Sequence, residues 1–139
     1  MCAYKRKSWN DKLNNTRPAQ VETADKDFAG IRKGQTMLVP TALMVDAYIR
    51  QVPAGQSVDL PTLRRDLAAE AGAEVTCPLT SGIFVRIAAE AAYEQYQNGA
   101  SLDTITPFWR VISPKSPAAK KLTFGTGFLL EQRSKEGLE

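Results

Sequence analysis

Histidine is absent from this chain of 139 residues. That absence removes the side chain that most often serves as a general base or metal ligand near neutral pH. Cysteine occurs only twice, as Cys2 and Cys77. Two distant thiols without histidine predict neither a disulfide framework nor a zinc site. We therefore expect no bound metal and no cofactor.

Long apolar runs are missing as well. No stretch approaches the roughly 18–20 apolar residues that cross a bilayer, and the basic segment Met1–Lys7 leads into no apolar signal-peptide core. Glycine and proline, 9 and 8 residues, are too few to suggest disorder, whereas 43% hydrophobic residues suffice for a core. We expect a cytoplasmic protein without membrane contact, and a bacterial origin fits.

Charge is unevenly distributed along the chain. Residues 1–33 carry eight Lys/Arg against four Asp/Glu, residues 34–104 carry four against eight, and residues 105–139 carry six against three. A basic beginning and end around an acidic middle could form a patch for a polyanion. Ordinary solvated surface explains the same pattern, and charge alone favours that simpler interpretation.

Residues 1–36 are predicted to form an N-terminal arm, and residues 37–139 a folded domain. Ser8 and Asp11 have the spacing of a capping box, with aspartate in place of the usual glutamate. This predicts a short helix over Trp9–Leu13. Trp9 is expected to anchor that helix on the folded domain, and a loose tail is the alternative.

Proline positions and apolar spacing predict helices in the folded domain. The first runs from Pro40 to about Gln51. Its expected inner stripe is Leu43, Ala47 and Tyr48 or Ile49. The second begins at Asp59 or Leu60, with Gly72 as its C-cap. Its expected buried face is Leu63, Leu67 and Ala71.

The third predicted helix follows Pro78 and runs to about Gln97. Its broad apolar stripe is Ile83, Phe84, Ile87, Ala88, Ala91 and Ala92. A last helix is predicted from Phe128 to about Lys135, which makes the expected fold mainly α. Two helices joined by a short turn are the outline of a helix-turn-helix, although many small helical domains share that outline.

Several short motifs occur in the order found in one family of DNA-repair proteins. The segment Val52–Val58 has the form Val-Pro-x-Gly-x-x-Val, and Pro78 introduces the following long helix. The stretch Pro107–Val111 reads Pro-Phe-Trp-Arg-Val where that family has Pro-Cys-His-Arg-Val. Further matches are Phe124–Gly127, Leu129–Leu130 and Glu136–Gly137. Over residues 37–137 the chain thus resembles the C-terminal domain of the alkylguanine-DNA alkyltransferases.

The resemblance implies a winged helix-turn-helix-like domain that binds DNA. The resemblance does not imply that this chain performs the family's alkyl transfer. Phe108 stands at the position of the nucleophilic cysteine, and a phenyl ring cannot accept an alkyl group. Trp109 replaces the histidine that activates the thiol. Leu60 stands near the family's base-rotating tyrosine, and Ser81 or Gly82 near its gap-filling arginine.

Arg110 and Glu136 keep the residue types found at their positions in the family. Glu136 keeps the position of the family's carboxylate, but without histidine and cysteine partners it is expected to be a surface charge. Arg110 is expected to brace the segment around it. The alkyltransferase-like proteins, inactive relatives that bind damaged bases, usually place tryptophan at the cysteine position and keep the histidine. This chain departs from their pattern too.

The leading hypothesis is a non-catalytic DNA-binding protein, not an enzyme, with a link to DNA repair or damage recognition. The helix after Pro78 would enter the major groove of duplex DNA with low sequence specificity. Lysines after residue 113 would contact phosphates. The candidate DNA-binding residues are Thr80, Ser81, Gly82, Val85, Arg86, Arg110, Lys115, Lys120 and Lys121. A repair or regulatory protein is a further candidate partner.

Two other hypotheses remain. The acidic middle segment and the alanine-rich third helix also suit a protein–protein interaction module on the same fold. Alternatively, Cys77 precedes Pro78 at a helix N-terminus, where a thiolate is stabilised, and could act as a nucleophile. No base or acid stands nearby in sequence, and a packed, inert thiol is the simpler interpretation.

The family's base pocket is expected to survive only as a vestige. Its residues in this chain are Leu60, Phe108, Trp109, Phe124 and Gly125. Large apolar rings tend to be buried, and the residues that drive and hold a rotated base are replaced. We therefore expect a largely closed pocket, with at least one of the rings of Phe108 and Trp109 in the core.

Overall fold

The computed structural model describes residues 7–15 and 17–138, which form six α helices and one small sheet. The helices are α1 (Trp9–Leu13), α2 (Ala42–Arg50), α3 (Leu60–Ala71), α4 (Pro78–Gln97), α5 (Pro117–Lys120) and α6 (Gly127–Lys135). The strands are β1 (Gln20–Thr23), β2 (Thr36–Val39) and β3 (Val75–Thr76). A 3-10 turn covers Phe108–Arg110. The fold is helix-rich, which confirms the mainly α expectation in part, and it also contains a small three-stranded sheet that was not predicted.

The three strands form a sheet in the order β1-β2-β3. β1 pairs antiparallel with β2, and β2 pairs parallel with β3. Part of the predicted arm therefore belongs to the sheet. Ala24 and Ile31 are buried in a small cluster with Met37 and Cys77. The arm is packed against the rest of the chain in this region because pairing with β2 satisfies the backbone of β1.

Helix α1 has the predicted bounds, and its capping box is present. Ser8 accepts a hydrogen bond from the Asp11 amide, while the Asp11 carboxylate accepts one from the Ser8 amide. Leu13 is buried against α2 and α4, with Trp9 packed beside it. The Trp9 amide also donates to Glu94 of α4. The prediction that Trp9 anchors the short helix is confirmed.

Helices α2 and α3 begin and end at local signals. Thr41 caps α2, Asp59 caps α3, and Gly72 ends α3 in the left-handed conformation with φ 72°. The predicted stripe of α2 is wrong in part, since Leu43 and Ala47 are exposed. The buried residues of α2 are Ala42, Val45, Asp46 and Ile49. Apolar residues occur on more than one side of α2, so the sequence alone does not select the buried face. Packing against α4 selects it.

Helix α4 is the central element of the core, and its bounds match the prediction. Ala88, Ala89 and Ala92 are buried, which allows neighbouring elements to approach its backbone closely. Ile83, predicted to be buried, is exposed. Within the described ranges no helix is both long and apolar enough to cross a membrane.

Candidate nucleic-acid interface

The segment that resembles the alkyltransferase motif is fixed in the core. Ahead of it, the Thr106 hydroxyl donates to the Asp46 carboxylate of α2 at 2.5 Å, and both side chains are buried. Phe108 is completely buried, and Trp109 is only 4% exposed. The expectation that at least one of these rings lies in the core is confirmed for both.

An aromatic cluster fills the space around Phe108. The Phe108 ring centroid lies 5.4 Å from that of Trp109, 5.7 Å from Phe124 and 5.8 Å from Phe128. Phe124 stacks on Tyr93 of α4 with 4.0 Å between centroids. Each ring therefore has a protein ring as its neighbour, which leaves the Phe108 ring no face for a nucleobase.

The other two members of the expected pocket lie around this cluster. Leu60 is half-buried against the main core. Gly125 is exposed, with φ 78° in the left-handed region that favours glycine. The structure thus brings Phe108, Trp109 and Phe124 together as a packed cluster, and Gly125 serves the turn that follows it.

Glu136 is the centre of a hydrogen-bond network and not the surface charge that we expected. Its carboxylate accepts the Trp109 indole N–H at 2.6 Å and the Gly55 amide at 3.0 Å. The Arg110 guanidinium donates to both of its oxygens, through Nε and Nη2 at 2.9 Å. The carboxylate therefore ties the C-terminal end of α6 to two of the family-like motifs.

These contacts change the acidity of Glu136. Burial disfavours the charged carboxylate, but hydrogen bonds from Arg110, the Gly55 amide and Trp109 outweigh that effect. Together they lower the pKa of Glu136 from 4.5 to about 2. The side chain is thus ionised throughout the neutral range and holds its donors in place.

Arg110 is a structural brace, as predicted. Besides the fork on Glu136, its Nη1 donates to the Val52 carbonyl at 2.8 Å, and the Val58 amide donates to the Arg110 carbonyl. Only 16% of its side chain is exposed. Its assignment as a DNA contact is therefore corrected, because the guanidinium is engaged within the protein.

Two residues of α4 predicted to contact DNA lie in the core instead. Ser81 and Val85 are each 1% exposed, and the Ser81 hydroxyl donates to the Pro78 carbonyl inside the helix. Thr80, Gly82 and Arg86 are half-buried and keep part of their surface open. The helix turns Ser81 and Val85, four residues apart, into the protein interior, so neither side chain can reach a base.

The open face of the first half of α4 is more apolar than expected. Leu79 is 64% and Ile83 58% exposed, and sequence reasoning missed Leu79 and placed Ile83 inside. A pair of exposed apolar side chains at i and i+4 was visible in the sequence. The sequence did not show that this pair faces solvent, because apolar residues occur on all sides of this half of the helix.

A buried carboxylate joins the middle of α4 to Thr123, which follows the lysine-bearing segment of residues 113–121 that includes α5. Glu90 accepts the Thr123 amide at 2.8 Å and the Thr123 hydroxyl at 2.6 Å. Arg86 Nε lies 3.9 Å from Glu90 Oε2, an ion-pair distance beyond hydrogen bonding. Lys121 and Lys120, both exposed, precede Thr123 by two and three residues. Lys115, near the beginning of this segment, is exposed as well.

A cleft of about 630 Å³ opens between the N-terminal stretch and the beginnings of α2 and α4. Thr80 lines it, together with three cationic side chains that the site prediction did not include. These cations are Lys7, Lys12 and Arg17. The excess of positive charge in residues 1–33 was the sequence signal that could have identified them.

Cys77 is buried at the start of α4. The Thr80 hydroxyl donates to its sulfur at 3.2 Å, and a threonine hydroxyl is not a base. In the described part of the chain no cluster of three or more metal-ligating side chains occurs. The geometry around Cys77 favours a packed thiol.

Comparison of the chain with protein-family models, with curated proteins and with solved structures gives no match. The likeness of Pro107–Val111 to the alkyltransferase signature therefore stands as a resemblance between short motifs.

Proposed function

We propose that the protein is a non-catalytic DNA-binding domain of winged helix-turn-helix-like type that holds duplex DNA by its phosphate backbone without rotating a base out of the stack. The observation that carries the proposal is the flank of α4. There the half-buried Arg86 lies one turn before Glu90, and the exposed Lys120 and Lys121 closely precede Thr123, which Glu90 binds. Clustered cations next to an open helix suit a polyanion.

The order of α3 and α4 supports this mode of binding. The short stretch between Gly72 and Cys77 links the two helices, and it includes β3. Thr80 and Gly82, in the first turns of α4, are small enough to let a phosphate or a groove wall approach the helix backbone. The open face offers few donors to base edges, so we expect weak discrimination between sequences.

The filled pocket supports a shallow interface. Rotating a base out of the duplex costs a few kcal/mol, which stacking on aromatic side chains can repay at about 1–3 kcal/mol per base. Here Phe108 and Trp109 are buried against protein rings. No stacking face is left to repay that cost, so alkylated bases should gain little over ordinary ones.

Fluorescence anisotropy with a labelled duplex tests the proposal. Binding should weaken steeply between 50 and 200 mM salt, because neutralised phosphates release counterions. The double variant Lys120→Gln/Lys121→Gln should lower the salt slope by roughly one per lysine that contacts phosphate. Lys135→Gln is the control, since this exposed lysine of α6 pairs with Glu131. Salt-independent binding, or equal slopes for all three proteins, would contradict the proposal.

A second comparison tests the closed pocket. Duplexes with and without one alkylated guanine should bind within about tenfold of each other, which corresponds to about 1.4 kcal/mol. A larger preference for the alkylated duplex that disappears in Trp109→Ala would show a pocket that is open and in use.

One observation favours a second candidate, the protein–protein interaction module. Leu79 and Ile83 present exposed apolar surface on the same open face of α4. Apolar contacts of this kind suit a protein partner better than a phosphate backbone. Failure to bind any duplex at low salt, with α4 intact, would favour this candidate.

A further inference from the structure

The cleft beside α1 combines positive charge with an apolar floor. Its volume of about 630 Å³ lies within the usual range for sites that bind one small molecule, about 300–1,000 Å³. Residues within 7–15 and 17–20 form one side, and the beginnings of α2 and α4 form the other. Arg86, Lys120 and Lys121 do not line this cleft, although Thr80 borders it and the Lys12 and Arg86 side chains both lie over the Trp9 ring.

The charge of the cleft is uncompensated. Lys7, Lys12 and Arg17 line it, and the described lining contains no carboxylate. None of the three forms an ion pair with a described residue. Asp11, the acidic neighbour in sequence, is engaged with Ser8 in the capping box. Three cations that line one cleft without a counter-charge attract an anion.

Two further features favour the binding of a phosphate group in the cleft, one at Lys12 and one at the start of α2. The Lys12 ammonium is positioned 4.2 Å from the centroid of the Trp9 ring, which limits the conformations it must give up on binding. Thr41 and Ala42 bring the N-terminus of the nine-residue helix α2 to the cleft wall. The positive end of a helix adds to the attraction for an anion.

The floor of the cleft is apolar. Phe84 and Ile87 of α4 contribute to it, and Val39 and Pro40 close it from the side of β2. Phe84 is only half-buried, so part of its ring remains available for contact. An inorganic anion or a bare sugar–phosphate backbone would use the cations and leave this apolar surface wet.

We infer that the cleft binds a small anion that joins phosphate groups to a flat apolar ring, as a nucleotide does. Lys7, Lys12 and Arg17 hold the phosphates, and Phe84 with Ile87 supports the ring. The same chemistry is offered by a free nucleotide and by the phosphorylated unpaired end of a nucleic-acid strand.

Isothermal titration calorimetry with three probes tests both halves of the inference. Adenosine triphosphate carries ring and phosphates, adenosine only the ring, and inorganic triphosphate only the phosphates. At 150 mM salt adenosine triphosphate should bind at least tenfold more tightly than either of the other two. Absence of binding, or equal affinity for adenosine triphosphate and inorganic triphosphate, would overturn the inference.

Matched variants locate the site. Lys12→Gln/Arg17→Gln should weaken adenosine triphosphate binding at least tenfold, whereas Lys120→Gln/Lys121→Gln, with the same loss of charge, should change it less than twofold. Phe84→Leu should weaken adenosine triphosphate but not inorganic triphosphate. Circular dichroism melting verifies that each variant is folded. Equal effects of the two charge pairs would show that net charge alone is responsible and would refute the site.

Duplex binding separates this inference from the proposed function. Lys12→Gln/Arg17→Gln should keep the salt-dependent affinity for a blunt duplex, since the cleft lies apart from Lys120 and Lys121. Competition by a duplex with a 5′-phosphorylated one-nucleotide overhang, compared with the blunt duplex, assigns the ligand to a strand end or to a free nucleotide. Loss of nucleotide binding with intact duplex binding is the expected signature of the cleft variant.

Discussion

Replacing Glu136 with glutamine removes one charge from the network that holds the family-like motifs together. Glutamine has nearly the same shape, so the core should not be distorted by size. In the wild type the carboxylate accepts hydrogen bonds from Trp109, Arg110 and the Gly55 amide. In Glu136→Gln the Arg110 guanidinium keeps its partly buried position but loses its counter-charge.

The magnitude follows from two independent arguments. The pKa of Glu136 falls from 4.5 to about 2, and each pKa unit corresponds to about 1.4 kcal/mol, which gives on the order of 3 kcal/mol at neutral pH. Removing one partner of a buried ion pair costs about 3–5 kcal/mol. Both side chains are 16% exposed, so solvent reduces that cost. We expect Glu136→Gln to lower the free energy of unfolding by about 2–3 kcal/mol at pH 7.

The same network predicts a pH dependence of defined sign. Because the folded-state pKa of Glu136 is lowered, its contribution is fully present above pH 4.5 and is lost as the pH falls toward 2. The stability difference between wild type and Glu136→Gln should therefore be constant from pH 7 to about 5 and shrink below it.

Urea denaturation followed by far-ultraviolet circular dichroism at pH 7, 5, 4 and 3 measures both effects. Glu131→Gln is the matched control on the same helix, because Glu131 forms an exposed pair with Lys135 and should contribute no more than about 0.5 kcal/mol. A loss below 1 kcal/mol in Glu136→Gln at pH 7, or a difference that does not narrow below pH 4.5, would refute the reasoning.

Three further outcomes are expected. Arg110→Lys should lower the free energy of unfolding by about 1–2 kcal/mol, because an ammonium cannot donate at once to both Glu136 oxygens and to the Val52 carbonyl. An unchanged melting curve would contradict this. Trp9→Ala should lower stability by about 1–3 kcal/mol, and unaltered urea denaturation would mean that α1 is not anchored. Incubation with alkylguanine DNA should add no stable mass to the Pro107–Ile112 segment in intact-mass and peptide analysis, since Phe108 cannot accept an alkyl group, and a modification mapped there would disprove this.

Local signals in the sequence predicted five of the six helices of the described residues, whereas the short helix α5 (Pro117–Lys120) was expected to be loop. The capping box at Ser8, the cap at Asp59, the helix-opening Pro78 and the left-handed Gly72 each act within a few residues of their position, so no tertiary contact is needed to recognise them. The sheet escaped prediction for the opposite reason. Strand β3 has two residues and β1 is exposed throughout, and the pairing of β3 with β2 joins Val75 to Met37, which is distant in sequence.

The sequence by itself determined that residue 108 is not a nucleophile and that Arg110 is suited to bracing, because both conclusions follow from side-chain chemistry. Only the tertiary structure decided that Ser81 and Val85 face inward while Leu79 and Ile83 face solvent. Apolar side chains surround the first half of α4, so periodicity alone does not select the buried face. That choice depends on the helices that pack against it.

Tertiary structure also decided the role of Glu136 and the existence of the cationic cleft. Glu136 is 26 residues from Arg110 in sequence, and Lys12 lines the same cleft as Thr80, from a separate segment of the chain. A charge count showed that positive residues were in excess near the beginning of the chain. The count could not show which of them line one cleft. That depends on chain topology and on long-range packing, and neither leaves a local pattern in the sequence.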